Sequence, residues 1–248
     1  MKRLILVFII ALSSFTLRVY AEQTTIVVAS NFIRPMKDLI DHFHQSSPHK
    51  IKVSYGSSGK IYAQIINGAP FDLFFSADSD KPTRLLKRNL VFNNSIYCYA
   101  VGQLVLWSKQ NNKANLLQQL KSNHFNKLAL ANPKLAPYGQ AAFEVMQQLK
   151  LVELSQRKWV LAENVGQSFQ FVMSGNAQLG FIALSQVTQN NQITQGSIWL
   201  VPSEFYQPVR QEVVLLKHAA NNEAAKAFYL FIKSDSAKHI MSQYGYQF

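Results

Sequence analysis

Four short polar stretches lie where the sequence predicts that a β-strand ends and a helix begins. They are Ala29-Ser30-Asn31, Gly56-Ser57-Ser58-Gly59, Pro137-Tyr138-Gly139 and Glu163-Asn164-Val165. The first backbone N–H groups of a helix have no intrahelical partner, and the helix dipole makes that end positive. A small dianion can be bound by such groups without any Lys or Arg side chain. The pattern therefore predicts an anion site built from hydrogen-bond donors.

The first part of the chain must position the first two stretches, and it alternates between predicted strands and helices. Short β-rich or apolar runs predict strands over 25–29, 51–55 and 71–76, and apolar periodicity predicts helices over 35–46 and 60–67. Asp78 can cap a third helix that ends at Leu86. Strands separated by helices predict right-handed crossovers, and therefore a parallel sheet with helices on both faces.

The rest of the chain predicts a second β-α unit inserted into the first. Residues 97–107 form an apolar run that we interpret as a strand leaving one domain and entering another. In the second unit, strands are predicted over 128–131, 159–162 and 179–184, and helices over 140–149 and 166–174. After a polar loop over 190–195, the chain returns through strands over 198–201 and 209–216 and helices over 224–232 and 235–243. Two crossings between domains predict a hinge beside a cleft.

Residues 1–21 have the features of a cleaved secretory signal. Lys2 and Arg3 precede an apolar run over 4–12, and residues 19–21 place small side chains where a signal peptidase would inspect them. The apolar run is too short to span a bilayer as a stable anchor. We therefore expect a soluble, exported protein that begins at Glu22.

The chain is strongly basic, with a formal net charge of +12 over 248 residues. Loss of Lys2, Arg3 and Arg18 with the signal leaves 22 basic and 13 acidic residues, a net charge of +9. No arginine-rich or aromatic-interleaved run accompanies this charge, so the sequence does not predict nucleic-acid binding. A diffuse positive field helps to gather anions, or simply keeps the protein soluble.

Other chemistry has weak support in the sequence. Cys98 is the single cysteine, which excludes an internal disulfide. His42 and His44 fall two residues apart on a predicted helix and point in different directions, so we predict neither a metal site nor a cofactor. No Gly-x-Ser-x-Gly motif is present, and no motif places a His as a base, so we predict a protein that is not an enzyme.

Five segments together resemble a known family. They are 28–32 (Val-Ala-Ser-Asn-Phe), 56–59 (Gly-Ser-Ser-Gly), 67–78 (Asn-Gly-Ala-Pro-Phe-Asp-Leu-Phe-Phe-Ser-Ala-Asp), 131–139 (Ala-Asn-Pro through Ala-Pro-Tyr-Gly) and 180–185 (Gly-Phe-Ile-Ala-Leu-Ser). In this order and spacing they are similar to the molybdate-binding proteins of ABC importers. The resemblance implies the type II periplasmic-binding-protein fold, an α/β structure of two domains with mostly parallel central sheets joined by a two-strand hinge. It places the first domain at 22–99 and 206–248 and the second at 100–205.

The resemblance also implies which residues contact the oxyanion. They are Ser30, Asn31, Ser58, Tyr138 and Val165. The two serines would donate hydroxyl and backbone hydrogen bonds from the first domain, with Asn31 adding a donor beside Ser30. Tyr138 and Val165 would contribute chiefly backbone N–H groups from the second domain. Without the resemblance, the serines suit ordinary helix caps, and the Tyr and Val suit core packing.

The function implied by the resemblance is capture of molybdate, and of tungstate, in the periplasm. The protein would deliver the ion to an ABC permease and would be a monomer. A site made only of donors suits a tetrahedral dianion, whereas a phosphate that keeps a proton meets an unmatched donor. Another oxyanion such as sulfate, a small carboxylate, or a sensing role beside a membrane partner are the alternatives that the sequence leaves open.

Overall fold

The computed structural model describes residues 21–93, 95–111 and 115–248. Apart from Ala21, the predicted signal segment therefore lies outside the described residues. Within the described ranges, no helix combines the length and apolar character needed to cross a membrane.

Strands and helices alternate along most of the described chain. The strands are β1 (Gln23–Ala29), β2 (Lys50–Gly56), β3 (Leu73–Ser76), β4 (Tyr97–Gly102), β5 (Leu104–Ser108), β6 (Leu128–Ala131), β7 (Trp159–Ala162), β8 (Leu179–Ala183), β9 (Thr188–Gln189), β10 (Gln192–Ile193), β11 (Ser197–Leu200) and β12 (Val209–Leu215). The helices are α1 (Ile33–His44), α2 (Ser58–Ile66), α3 (Asp80–Lys87), α4 (Leu116–Lys121), α5 (Pro137–Gln148), α6 (Val152–Ser155), α7 (Val165–Met173), α8 (Glu223–Ile232) and α9 (Asp235–Ser242). Short 3₁₀ turns cover Ser30–Phe32, Gln156–Lys158, Leu184–Gln186, Ser203–Phe205 and Lys217–Ala219.

Two five-stranded mixed sheets organise the molecule. The first has the order β2-β1-β3-β12-β4, and we call it lobe I together with α1, α2, α3, α8 and α9. The second has the order β11-β5-β8-β6-β7, and we call it lobe II together with α4 to α7. The predicted fold class, an α/β fold of two domains, is confirmed.

The sheets are parallel where helices separate the strands and antiparallel where the chain passes between lobes. In lobe I, β2, β1 and β3 run parallel, whereas β12 runs antiparallel to β3 and β4. In lobe II, β7, β6 and β8 run parallel, whereas β5 runs antiparallel to β8 and β11. Because β4 runs toward lobe II and β12 returns from it, these two neighbours must have opposite directions.

The differences from the predicted elements are local. The apolar run over 97–107 is divided at Gln103 into β4 and β5, and the short helices α4 and α6 were not predicted. The segment predicted as a polar loop forms the β9–β10 hairpin, and its turn residues Asn190 and Asn191 have φ values of 50° and 58°. Such left-handed pairs form the tight turns of two-residue hairpins. The residue directly before α3 is Ser79 and not the predicted cap Asp78, but Asp78 Oδ1 still accepts the Lys81 N–H of the first turn at 3.1 Å.

The core of lobe I fixes the first of the polar stretches in place. Phe32 is fully buried, and its ring lies 4.9 Å from the ring of Tyr99 and 5.1 Å from that of Tyr246, measured between centroids. Such aromatic pairs contribute about 0.5–1.5 kcal/mol beyond the area that they bury. The 3₁₀ turn that carries Ser30 and Asn31 is therefore anchored by its own last residue, Phe32.

Candidate anion site

All five predicted contacts line one small cavity between the lobes. Ala29, Gly56, Ser57, Ala77, Ala136, Pro137 and Asn164 complete its wall. The space in it that a water-sized sphere can reach is about 10 Å³, whereas sites for drug-sized ligands have volumes of roughly 300–1,000 Å³. Its size therefore suits a small ion.

Lobe I contributes two strand-to-helix junctions to the wall. β1 ends at Ala29, and the turn that begins at Ser30 leads into α1. β2 ends at Gly56, after which Ser57 caps α2 by accepting the Lys60 N–H at 3.4 Å. Both junctions lie at the carboxyl ends of parallel neighbours, the edge where ligands bind in open α/β sheets.

Lobe II presents two more helix N-termini to the same cavity. α5 begins with Pro137, which lacks the N–H that a first helical position would leave unpaired, and Tyr138 follows it. α7 begins with Val165, and the Asn164 side chain caps it by accepting the Gln167 N–H at 3.0 Å. The N–H groups of Tyr138 and Val165 lie in first turns, where no intrahelical acceptor exists. They are therefore available to an anion.

Two hydroxyl groups are oriented by backbone donors. Ser58 Oγ accepts the Ala77 N–H at 3.0 Å, and Ser30 Oγ accepts the Gly166 N–H at 3.1 Å. A hydroxyl has one proton to donate and two lone pairs that accept. Because backbone donors occupy the acceptor side of both oxygens, their protons remain for a ligand oxygen. This arrangement agrees with the donor role predicted for both serines.

The Asn31 side chain points away from this donor role. Its Nδ2 donates to Gln211 Oε1 at 2.9 Å and to the Tyr246 hydroxyl at 2.8 Å, which uses both of its protons. The donor that Asn31 offers beside Ser30 is therefore its backbone N–H, in the first turn of the 3₁₀ segment. The prediction that Asn31 adds a donor is thus restricted to the main chain.

Behind the cavity lies a buried polar cluster that the sequence did not predict. Gln211 Oε1 accepts from the Tyr99 hydroxyl at 2.9 Å, and Gln211 Nε2 donates to the Tyr138 hydroxyl at 3.2 Å. Burial raises the pKa of Tyr138 well above its ordinary value, so the phenol stays neutral. Little in the sequence signals this burial, since Gln211 lies between Arg210 and Glu212 near the start of β12, yet it is fully buried. The pattern alone did not reveal its partners.

Charged side chains surround the cavity without lining it. Among the described residues, none that lines the cavity carries a charged side chain. Lys60 Nζ pairs with Glu163 Oε2 at 2.7 Å, and both side chains are about half exposed, at 51% and 43%. This ion pair joins α2 of lobe I to the residue that precedes the Asn164 cap in lobe II. In the described part of the chain, no group of three His, Cys, Asp or Glu residues could hold a metal ion.

A larger groove lies beside the small cavity and shares part of its wall. It is lined by Ser30, Asn31 and Asn164, and also by Arg34, Tyr55 and Glu163, and its volume on the same measure is about 760 Å³. Arg34 spans the lobes there, donating to the Gln186 carbonyl at 3.0 Å and to Gln189 Oε1 at 2.8 Å. The groove contains a carboxylate and is several times larger, so the small cavity suits a dianion better.

Comparison with known proteins shows the family to which the chain belongs. A family model described as bacterial extracellular solute-binding protein matches residues 24–247. The chain belongs to this family. This solute-binding protein is 43% identical over 227 residues to the molybdate-binding protein ModA of Azotobacter vinelandii, covering 91% of this chain and 90% of the relative. It is 38% identical over 226 residues to ModA of Rhodobacter capsulatus, covering 91% and 88%.

A solved structure agrees with these sequence relationships. The periplasmic molybdate-binding protein of Azotobacter vinelandii matches this solute-binding protein with a TM-score of 0.87 and 37% identity, over 91% of this chain and 99% of that chain. The resemblance inferred from the sequence motifs is confirmed.

Proposed function

We propose that this protein binds molybdate, and also tungstate, between its two lobes and delivers the ion to the permease of an ABC importer. One observation carries the proposal: Ser30, Asn31, Ser58, Tyr138 and Val165 converge from both lobes on one small cavity. The relatives that cover most of the chain are named as molybdate-binding proteins, which supports the choice of ion.

The chemistry of the wall explains why a tetrahedral dianion fits. Molybdate and tungstate are fully ionised near neutral pH, so all four oxygens only accept hydrogen bonds. The wall offers the hydroxyl protons of Ser30 and Ser58 and first-turn N–H groups, and among the described residues that line it there is no carboxylate to repel the ion. A phosphate that keeps its proton would leave a donor unmatched, which costs roughly 1–3 kcal/mol. Sulfate matches the donors equally well and has to be discriminated by size.

We propose that the two lobes close on the ion as rigid bodies. We propose that residues 22–99 and 206–248 move as one body and residues 100–205 as the other, about the two strand crossings. Closure is needed because each lobe supplies only part of the donor set. A closed, loaded protein would also present the permease with a surface that the open form lacks. We propose that it acts as a monomer in the periplasm.

Binding and release, without catalysis, is the proposed activity. Ser57 and Lys60 do have the Ser-x-x-Lys spacing of some hydrolases. Ser57 Oγ, however, accepts the Lys60 backbone N–H, and Lys60 Nζ pairs with Glu163. The lysine amine is therefore directed at the Glu163 carboxylate and is not placed as a base for the Ser57 hydroxyl.

Thermal unfolding with added anions tests the proposed ligand. The chain from Glu22 onward is heated alone and with molybdate, tungstate, sulfate, phosphate or citrate. An anion present at a hundredfold excess over its Kd adds about 2.7 kcal/mol and raises the midpoint by several degrees. A rise with molybdate and tungstate alone supports the proposal. A rise with sulfate or citrate alone means a different cargo, and no rise with any anion contradicts anion binding.

A further inference from the structure

Helices α2 and α7 each have glycine as their second residue, Gly59 and Gly166. Glycine is a poorer helix former than alanine because it loses more backbone freedom on folding. Neither glycine has a positive φ, unlike Gly68 and Gly175. Backbone conformation therefore does not require glycine at these two positions, and another cause is needed.

At position 59, a close contact with the opposite lobe explains why the residue is glycine. Its N–H donates to the Leu135 carbonyl oxygen across the cleft at 3.0 Å. A Cβ at this position would lie 2.7 Å from that oxygen and 3.3 Å from the Leu135 carbonyl carbon. Both are backbone atoms, which cannot rotate away as a side chain can. A methyl group here would therefore hold the lobes apart by roughly 0.7 Å or more to reach an ordinary contact distance.

Gly166 also contacts the opposite lobe, but a Cβ there would have more room than a Cβ at Gly59. Its N–H donates to Ser30 Oγ at 3.1 Å, also between lobes. A Cβ on Gly166 would lie 3.2 Å from Ser30 Cβ and 3.1 Å from Asn164 Oδ1. These distances are tight, but a shift of a few tenths of an ångström in side chains would relieve them. Gly166 therefore limits lobe approach less strictly than Gly59.

Each glycine follows a residue of the donor set. Gly59 comes directly after Ser58, and Gly166 directly after Val165. The contacts that limit how closely the lobes approach therefore lie next to the donors that must reach the anion from both lobes. Hydrogen bonds lengthened from about 2.9 Å to well beyond 3.2 Å lose most of their strength.

From these contacts we propose that Gly59, and secondarily Gly166, are positioning residues that set how closely the lobes approach on an oxyanion. The proposal rests on the proposed function, since it needs an anion that both lobes contact. Small residues at these positions let the donors of both lobes reach one tetrahedral ion. Larger residues would leave the ion bound by one lobe.

Three glycine-to-alanine variants test this inference. Gly59→Ala should raise the Kd for molybdate at least tenfold, mainly through faster dissociation, because encounter with the open cleft is unchanged. Its unfolding midpoint without anion should equal or exceed that of the wild type, since alanine favours the helix. Gly166→Ala should raise the Kd by a smaller factor, about two- to fivefold.

Gly68→Ala is the matched control, at the other end of α2. Gly68 has a φ of +86°, and a Cβ there would meet nothing within 4 Å. This variant should lower the unfolding midpoint without anion through backbone strain, yet keep the wild-type Kd. A general loss of stability is thus separated from a change in lobe spacing.

The measurements are calorimetric titration and stopped-flow dissociation, with small-angle scattering of the loaded forms. Gly59→Ala loaded with molybdate should be less compact than the loaded wild type. A Gly59→Ala variant that binds as tightly and closes as fully as the wild type would overturn the inference. If the wild type binds sulfate or phosphate instead of molybdate, the proposed function is wrong and the same order of variants is expected with that ion. If it binds no anion, both proposals fall.

Discussion

The hydroxyl of Ser30 in lobe I accepts a hydrogen bond from the backbone N–H of Gly166 in lobe II, at 3.1 Å. The same hydroxyl lines the anion cavity, and its proton remains free to be donated. Under the proposed function the Ser30 hydroxyl would therefore have two roles: it would donate to the ligand, and it accepts a hydrogen bond that joins the two lobes. Ser58 would have only the first role, because its hydroxyl accepts from Ala77 within its own lobe.

The two serines should consequently differ when each is changed to alanine. Ser58→Ala removes one hydrogen bond to a charged ligand and should weaken molybdate binding by roughly 1.5–3 kcal/mol. Ser30→Ala removes the ligand contact and the interlobe contact, so its loss should be larger. Titration calorimetry of both variants measures the two losses.

Ser234→Ala is the control for these serine variants. Ser234 caps α9 by accepting the Ala237 N–H at 3.2 Å, at a position that does not line the cavity. Its removal should cost about 1 kcal/mol of folding stability and leave the affinity unchanged. An unchanged affinity in Ser58→Ala would exclude Ser58 from the site, and an equal loss in both site variants would contradict the double role of Ser30.

The Tyr138 phenol should matter for stability more than for binding. Its oxygen accepts from Gln211 Nε2 behind the cavity, whereas its backbone N–H is the group that we propose contacts the anion. Tyr138→Phe leaves a buried donor unpaired and should cost about 1–3 kcal/mol of the free energy of unfolding. Its Kd for molybdate should stay within a few-fold of the wild type. A Kd raised a hundredfold, with stability intact, would show that the phenol itself is a ligand.

The Lys60–Glu163 ion pair should contribute modestly to closure. Because both side chains are about half exposed, solvent screens the pair, and such pairs contribute about 0.2–1 kcal/mol. Lys60→Met should raise the Kd for molybdate by no more than about fivefold, and less at high salt, since it removes the pair and a cation near the anion. Glu163→Gln should change the Kd less, since it also removes a negative charge. A larger effect for Glu163→Gln than for Lys60→Met would contradict this assignment.

Buried tyrosines should make the fold sensitive to alkali. Burial is the main cause that raises the pKa of Tyr246 to about 12, and that raises the pKa values of Tyr99 and Tyr138 well above 10. An unfolded tyrosine releases its proton near pH 10. Above that pH the folded state binds more protons than the unfolded state, so stability falls as pH rises.

Urea unfolding at pH 8 and pH 11 measures this loss. The free energy of unfolding should be lower at pH 11, and it should show no contribution from these groups below about pH 9. In a pH titration, tyrosinate absorbance should appear at a higher pH for the folded protein than for the protein unfolded in urea. Equal stability at both pH values, with ordinary titration of all tyrosines, would contradict the buried network.

The strand-to-helix junctions of the anion site could be predicted because the signals for each one lie close together in the sequence. A β-rich run, a polar turn and an apolar helical period lie within about fifteen residues, as for β2, the turn at Ser57 and α2. Short elements were missed for the same reason: α4 and α6 are too short for a helical period to emerge. The β9–β10 hairpin was missed because its turn is Asn190-Asn191, not the stronger Asn-Gly signal.

The orientation of polar groups in the site could not be predicted. Asn31 and Gln211 are 180 residues apart and meet only because β12 returns to lobe I beside β3. A sequence motif places Asn31 at the site, but it does not show that the amide points away and the backbone N–H remains. The contacts of the two glycines with the other lobe could not be predicted either, since only the folded structure brings Gly59 to Leu135.

A crystal of the chain soaked with molybdate tests the central claim most directly. Anomalous scattering at the molybdenum edge locates the ion without relying on its shape. We expect one strong peak inside the small cavity, with oxygens roughly 2.7–3.1 Å from the hydroxyls of Ser30 and Ser58 and from the backbone nitrogens of Asn31, Tyr138 and Val165. A peak in the larger groove beside Arg34, with the small cavity empty, would contradict it.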